Sequence, residues 1–580
     1  MLKDCLEIFN RLYGSTIEDR IIENYKLVEG SYVLVDEKGD YDVLEVSKND
    51  DKVDHRYNEF AKLDYLSKLV DMNKPIDSKK VIHSNNYLSF FIKKDNVNKE
   101  KLKEEIIDNY YKILSDPREK YNKDKEKLKM YEAIESKYGK ADAEKLEKNK
   151  KWIKENIYTV LSEVKKDKNY LKVFFASSLS LYKQESEKYV IPNIYNNTQY
   201  NVQVENETLG LPNDNLGLNS KKPYLEQKTR KNIRPYLISE KEVMLQKQFF
   251  DYLMNFASLG KTNIYLNEER IYRLANDESM EEDFSGYFLR IQKGKELEIR
   301  DFDIISGLKN KIIGLKVTQV IPIAYGKSKP VLHLGNIDNI KTLKGQINEL
   351  YFNKFLLSNF FTEPNDIRLN DYVVKENLLK SRDALFSWLY KGDTTVIRQL
   401  FNDISLSLIK NSITNDYIIK AKEQFNLRYA ILNYFGGKKA MGDIFKGIAD
   451  SLRIKSNADK TDQITSDEEY YFAVGQIVSY LISLNKSSRK MHSLINPVLN
   501  CKTNDKLKHE IKVLFMKYNY AIRKDNPRFN NLKCMLLGYV PEGKIDTDIL
   551  LGGYLYSNLI YEKSKGTDVS NEIEEDKENE

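Results

Sequence analysis

Two clusters of cationic side chains are the part of this sequence best equipped for chemistry, and that chemistry is the neutralisation of phosphate. The first, Gly217 to Leu237, reads GLNSKKPYLEQKTRKNIRPYL. It holds Lys221, Lys222, Lys228, Arg230, Lys231 and Arg234 against one acid, Glu226. Pro223 and Pro235 oppose a long regular helix there. Asn213, Asp214, Asn215, Gly217 and Asn219 introduce the run and read as turn and loop. A loop of this kind can grip backbone phosphates with its cations while short amides reach base edges. The second cluster, Lys486 to Lys533, carries 12 basic residues and 3 acids, interleaved with Phe515, Tyr518, Tyr520 and Phe529. Lysines on one exposed helix face, followed by arginines at a turn, suit a single strand whose phosphates track a groove.

Other chemistries lack their residues. Five histidines (His55, His83, His333, His492, His509) form no HExxH, HxH or HD pattern, and His83 and His333 stand in apolar runs that predict core histidines. No GxxxxGK[ST] loop or GxSxG elbow occurs. Cys5, Cys501 and Cys534 are too scattered for a zinc ribbon or a disulfide framework, which fits a reducing compartment. The expectation is a chain that is not an enzyme and needs no cofactor or metal.

The elements that must position the clusters follow from pattern. Ser31 to Val35 and Tyr41 to Val46 flank Gly39-Asp40 and read as a hairpin, and Val81 to Ile92 reads as a further strand with a turn at Asn85-Asn86. Dense Lys/Glu pairs from about 99 to 188 predict a helical lobe. The first basic cluster lies in an irregular stretch, 189–236, and long irregular stretches inside folded proteins are more often functional than idle. Ser239 and Glu242 make a capping box for the next helix, and Ser466 with Glu469 repeats the pattern. Short strands are expected at 263–266, 287–292, 297–301 and 312–323, and helices from about 340 onward. Tyr470, Val474, Ile477, Val478 and Leu481 form one stripe, and Leu507, Ile511, Leu514 and Tyr518 another, so each helix should bury one side and show the other to water. With the helices at 378–409 and 414–434 they predict an antiparallel bundle. The fold class is therefore α+β: a mixed α/β N-terminal region (1–340), a C-terminal helical bundle (341–562) and an acidic disordered tail (563–580).

At 580 residues the chain exceeds one core, and its 41% hydrophobic and 31% charged content is that of a folded soluble protein. No window reaches eighteen uninterrupted apolar residues and no apolar leader opens the chain, so neither a membrane span nor a secretion signal is expected, and the cytoplasm is the expected compartment. The net charge of +6 is uneven. Lys375 to Glu562 holds 28 basic and 20 acidic residues, whereas Lys563 to Glu580 holds 3 and 7. Such asymmetry suggests a polyanionic partner.

Extended runs resemble a known family. GLNSKKPYLEQKTRKNIRPYL followed by QKQFFDYLMN is similar to the N-terminal part of the large subunit of the type I-B CRISPR Cascade. EEYYFAVGQIVSYLISLNKSSRKMHSLINPVL, LFMKYNYAI, RFNNLKCMLLGYVPEG and LLGGYLYSNLIYE resemble that family's helical end. The resemblance implies a non-catalytic, DNA-binding role in an RNA-guided antiviral complex. The large subunit would inspect the protospacer-adjacent motif in duplex DNA, help open it, and support the displaced strand of the R-loop. It implies as partners the backbone, cap and small subunits, the crRNA, target double-stranded DNA and a helicase-nuclease that cuts. Asn215, Asn219, Lys221 and Lys222 become candidates for motif-proximal contact, and Lys228, Arg230, Lys231 and Arg234 for duplex backbone contact. Lys486, Arg489, Lys490, Lys508, Lys512, Arg523, Lys524 and Arg528 become candidates for the displaced strand. Some relatives carry a cysteine-rich metal knuckle, which this chain lacks, so no zinc role is carried over.

The C-terminal bundle of this family resembles a separate small subunit, sometimes made from an internal start. Gly436-Gly437-Lys438-Lys439-Ala440 precedes Met441, and a GGA codon at Gly436 would create a GGAGG ribosome-binding core. Translation from Met441 would give 140 residues. Two other classes compete with the binding role: a nucleic-acid-processing enzyme with an unrecognised site, and a protein-binding scaffold.

Overall fold

A computed structural model describes residues 2–47, 54–70, 72, 74–98, 100–196, 198–205, 207–213, 237–294, 296–436, 441–460, 462–485, 491–523 and 525–562. The protein is mixed α and β with a helical C-terminal region. It divides into two units, one of residues 1–275 and 285–305, the other of 276–284 and 306–580.

The first unit is built on a four-stranded sheet of order β2-β1-β4-β3. The expected hairpin is β1 (Gly30–Val35) and β2 (Tyr41–Val46), turned by Gly39 at φ 97°. Asp36 Oδ1 closes that turn by accepting from the amides of Lys38 and Asp40 at 2.8 and 2.9 Å. β3 (Ser89–Lys93) forms only the end of the strand expected over 81–92. Its partner was not expected. β4 (Tyr170–Phe175) lies inside the Lys/Glu-rich stretch that reads as helix, and it runs parallel to β1 and antiparallel to β3. The apolar run YLKVFF explains the difference, because five of its six residues are buried and a central strand needs such a run.

The only cation in β4, Lys172, is balanced in the core by Asp64 at 2.5 Å, while Tyr25 donates to the same carboxylate at 2.7 Å. Burial alone would raise the Asp64 carboxyl, yet Lys172 and Lys68 beside it hold it below the usual carboxylate range. Beyond the sheet, β5 (Val202–Val204), β6 (Glu207–Gly210) and β7 (Ile238–Ser239) form a small antiparallel sheet. Ser239 then caps the helix Glu240–Ser258 with the full reciprocal box. That helix and Leu2–Tyr13 share a core with β8 (Asn263–Leu266), β9 (Ile271–Leu274), β10 (Phe284–Lys293) and β11 (Leu297–Leu308).

The second unit begins earlier than the expected boundary at 340. Residues 309–340 are not the strand predicted over 312–323; β12 (Lys316–Val317) pairs with β13 (Gly335–Asn336), and Lys311 bridges to Asn339. They are laid along the helix Ile418–Tyr434 instead. Asn426 clamps Ile321 through both its side-chain oxygen and nitrogen, at 2.8 and 3.0 Å. Glu423 Oε1 accepts from Tyr325 Oη, Val331 N and Leu332 N at 3.1, 2.8 and 3.0 Å. The helix expected over 378–409 is broken into Tyr372–Phe386 and Thr395–Thr414, joined by a π-helical turn that ends at Gly392 with φ 80°.

The helix Asp467–Ser483 contradicts the expected one-sided burial. Its stripe is buried, but so are Tyr471, Phe472, Ala473, Gly475 and Gln476 on its other sides. A Cβ on Gly475 would lie 2.3 Å from the Leu550 carbonyl, and one on Gly553 would lie 2.2 Å from that of Phe472, so two glycines let this helix and Thr547–Leu555 approach backbone to backbone. Gln476 seals the contact by donating to the Gly553 carbonyl at 2.5 Å and accepting from Leu559 N at 2.8 Å. The second capping box is only half formed. Ser466 accepts from Glu469 N, while the Glu469 carboxylate serves Lys455, Ser451 and Thr465.

Candidate nucleic-acid interface

Asn504–Tyr518 is the helix on which the expected two-sided pattern is realised. Thr503 caps it by accepting from Lys506 N at 3.4 Å. Leu507, Ile511, Leu514 and Tyr518 are buried and fix its orientation in the core of the second unit. The opposite face exposes Lys506, His509, Lys512, Val513, Met516 and Lys517. The chain then turns through Tyr520 and Arg523, both exposed, into the helix Pro527–Gly538. Met516 and Tyr520 are 73% and 69% exposed, which is unusual for side chains of their size and puts two polarisable groups among the cations. Stacking on an exposed ring and pairing with ammonium groups are the two interactions that hold a single-stranded nucleic acid without reading its bases. Of the three acids of the patch, Asp505 and Asp525 stand at the two ends of this segment and Glu510, half-buried, lies between them.

The structure sorts the candidates for the displaced strand. Lys512 and Arg523 are exposed on this surface. Lys508 is turned inward, its Nζ donating to the Tyr539 carbonyl at 2.7 Å. Arg528 is a fastening of the fold: its Nε donates to Asn457 Oδ1 at 2.6 Å, and its Nη1 donates to the carbonyls of Leu559 and Glu562. Lys486, Arg489, Lys490 and Lys524 lie outside the described residues. The surface adds Lys506 and Lys517, members of the basic patch that had not been assigned to the site. The signal that could have found them is helical position, since both lie off the buried Leu507–Ile511–Leu514–Tyr518 stripe, although Lys508 shows that such a position does not by itself keep a lysine in water.

All eight candidates of the first cluster, Asn215, Asn219, Lys221, Lys222, Lys228, Arg230, Lys231 and Arg234, lie outside the described residues, as does the tail 563–580. The chain on either side of that cluster is firmly held. Asn213 is buried and donates through Nδ2 to the Asn193 carbonyl at 3.0 Å, and Ile238 pairs with Gly210 in the small sheet.

Two of the histidines have structural partners. His83 meets Tyr170 Oη through Nδ1 at 2.7 Å and the Lys80 carbonyl through Nε2 at 2.9 Å, and burial lowers its pKa. His492 Nδ1 meets Tyr554 Oη at 2.6 Å. His333, expected in the core, is exposed, because the apolar run around it is an irregular segment. Among the described residues, no three His, Cys, Asp or Glu side chains cluster as metal ligands, and no helix is long and apolar enough to cross a membrane. Comparison with protein-family models, curated proteins and solved structures yields no match.

Proposed function

We propose that this protein is a non-catalytic, DNA-binding large subunit of an RNA-guided antiviral complex in the cytoplasm. In this reading it recognises a protospacer-adjacent motif, stabilises the R-loop and helps to recruit a helicase-nuclease. The observation that carries the proposal is the outer face of Asn504–Tyr518 with the turn after it, where Lys506, Lys512, Lys517, Arg523, Met516 and Tyr520 are exposed on a helix whose other side is locked in a core. A rigid cationic and aromatic surface suits the displaced strand, while the segment anchored at Asn213 and Ile238 brings the first cluster to the duplex. Guide pairing reads sequence in such complexes, and the protein reads a short duplex motif and holds phosphates. The helices of the second unit form the antiparallel bundle in this reading.

An internal product starting at Met441 would begin at the first residue of the helix Met441–Ser456. It would lack Phe425, which packs on Phe445 with ring centroids 5.9 Å apart, and Arg428, whose Nη2 lies 3.1 Å from Asp548. Such a fragment would need another surface over these positions, which fits a subunit and not a free monomer.

The decisive experiment is target binding by the assembled complex. Charge reversal at Lys221 and Lys222 should abolish motif-dependent DNA binding while leaving assembly on the guide RNA intact. Normal target binding by the double variant overturns the assignment of the first cluster. Divalent-metal-dependent DNA cleavage by the isolated chain overturns the non-catalytic reading.

A further inference from the structure

The first unit holds a second concentration of lysine that no part of the proposed function uses. A pocket of about 550 Å³ is lined by Lys74, Lys80, Lys120, Lys123 and Lys127, with Glu119 and Asp124 as the acids lining it among the described residues. These lysines come from separate pieces of chain: the loop before β3, the turn around Arg118–Tyr121, and the start of the helix Lys125–Tyr138. Both acids are engaged elsewhere. Glu119 pairs with Lys112 at 3.3 Å, and Asp124 caps its helix by accepting from Lys127 N at 3.2 Å and from Thr198 Oγ1 at 2.9 Å.

Two of the lysines meet neutral oxygens of the pocket wall. Lys120 Nζ donates to the Pro75 carbonyl, and Lys127 Nζ donates to Asn193 Oδ1 at 3.3 Å. Pro75 and Asn193 themselves line the pocket. Burial, reinforced by the charge of Lys127 and opposed by that of Asp77, brings the Lys120 ammonium down to about 8. Lys80 adds backbone strain, standing at φ 58°, a region that a lysine rarely occupies. Asp77 imposes this conformation by accepting from the amides of Lys79, Val81 and Ile82 at 2.9, 2.7 and 3.2 Å. Like charges gathered in a recess repel one another, and an anion entering there would relieve that repulsion and favour the protonated form of Lys120.

We infer that this pocket binds a phosphorylated ligand of about nucleotide size, carrying at least two negative charges. The volume falls within the range of small-molecule sites. Five ammonium groups offer the compact point charges that suit phosphate oxygens. The same chemistry is offered by a free nucleoside polyphosphate and by the phosphorylated end of a nucleic acid.

Calorimetric titration of the full chain with pyrophosphate, ATP and a 5′-phosphorylated ten-nucleotide RNA tests the inference. Saturable binding is expected. Lys120→Met and Lys80→Asn should each weaken it at least about tenfold, the loss of one charge-assisted hydrogen bond. Neither variant should lower the melting temperature, because Lys120→Met removes a desolvated charge and asparagine tolerates the backbone of residue 80. Lys151→Met, on an exposed helix face outside the pocket, should change nothing. Affinity should fall as pH rises through about 8, where Lys120 loses its proton. Tighter binding of ATP than of the RNA identifies a free nucleotide, and the reverse order a nucleic-acid end. Absence of binding by all three probes, or binding indifferent to both pocket variants, overturns the site and leaves the DNA-binding proposal untouched.

Discussion

The lysines of the 504–523 surface and those of the 74–127 pocket are the same chemical group in opposite settings. On the helix Asn504–Tyr518, Lys506, Lys512 and Lys517 stand in water, and only the helix beneath them is fixed. In the pocket, Lys120 is tied to a carbonyl and partly stripped of water, and its ammonium is driven down to about 8. Lys172 is a third setting, buried in the sheet on Asp64. Solvation decides what each can do. Exposed cations bind weakly one by one and act together on a long polyanion, subject to salt. A recessed group is preorganised for a small anion at a cost in stability. A fully buried cation with a carboxylate at 2.5 Å is committed to the fold.

The harshest way to break this comparison is to remove the scaffold under the exposed set. Gly475→Val would force a side chain into the Leu550 carbonyl and the Tyr554 amide, and backbone on both sides cannot yield cheaply. A loss on the order of 5 kcal/mol is expected. Hydrogen exchange should place that loss in the helices Asp467–Ser483 and Thr547–Leu555. Next in size is Lys172→Met, which strands Asp64 in the sheet core and should destabilise the first unit by about 3–5 kcal/mol in urea unfolding. Lys512→Met, by contrast, should stay within about 0.5 kcal/mol of wild type. The pH dependence follows the same logic. The folded Asp64 carboxyl is held below its unfolded value, so its contribution is present above about pH 4 and is lost as pH falls through the lower folded value. In Lys172→Met that acid-side loss should shrink, because the partner that lowers Asp64 is gone.

The three settings were unequally legible in the sequence. The exposed set was readable, since Leu507, Ile511, Leu514 and Tyr518 define the buried side of their helix and the cations follow by spacing. Lys508 and Arg528 show the limit of that reading. Both sit in the basic patch, but long side chains can reach a carbonyl many residues away, as Lys508 does at Tyr539 and Arg528 at Glu562. The hairpin was legible from Gly39-Asp40, whereas β4 was hidden by flanking lysines and glutamates that imitate a helix. The all-round burial of Asp467–Ser483 depends on Gly475 meeting Gly553, a contact that periodicity in one segment does not encode. The pocket was invisible, because Lys74, Lys80, Lys120, Lys123 and Lys127 belong to separate elements and converge only when the chain folds.

The smallest effect is the one that defines the exposed set. Lys512→Ala with Arg523→Ala removes two cations that, among the described residues, make no ion pair, so folding should be nearly unchanged. Single-strand affinity should fall, and more informatively the salt dependence should become shallower. Each phosphate contact contributes roughly 0.7 to the slope of log K against log salt on a single strand, so the double variant should lose about 1.4. Tyr520→Ala should instead weaken binding by about 1–3 kcal/mol with the slope preserved, because stacking releases no counterions. A double variant with an unchanged slope would mean that the phosphates pass elsewhere, and that the exposed lysines of this helix serve only to keep it solvated.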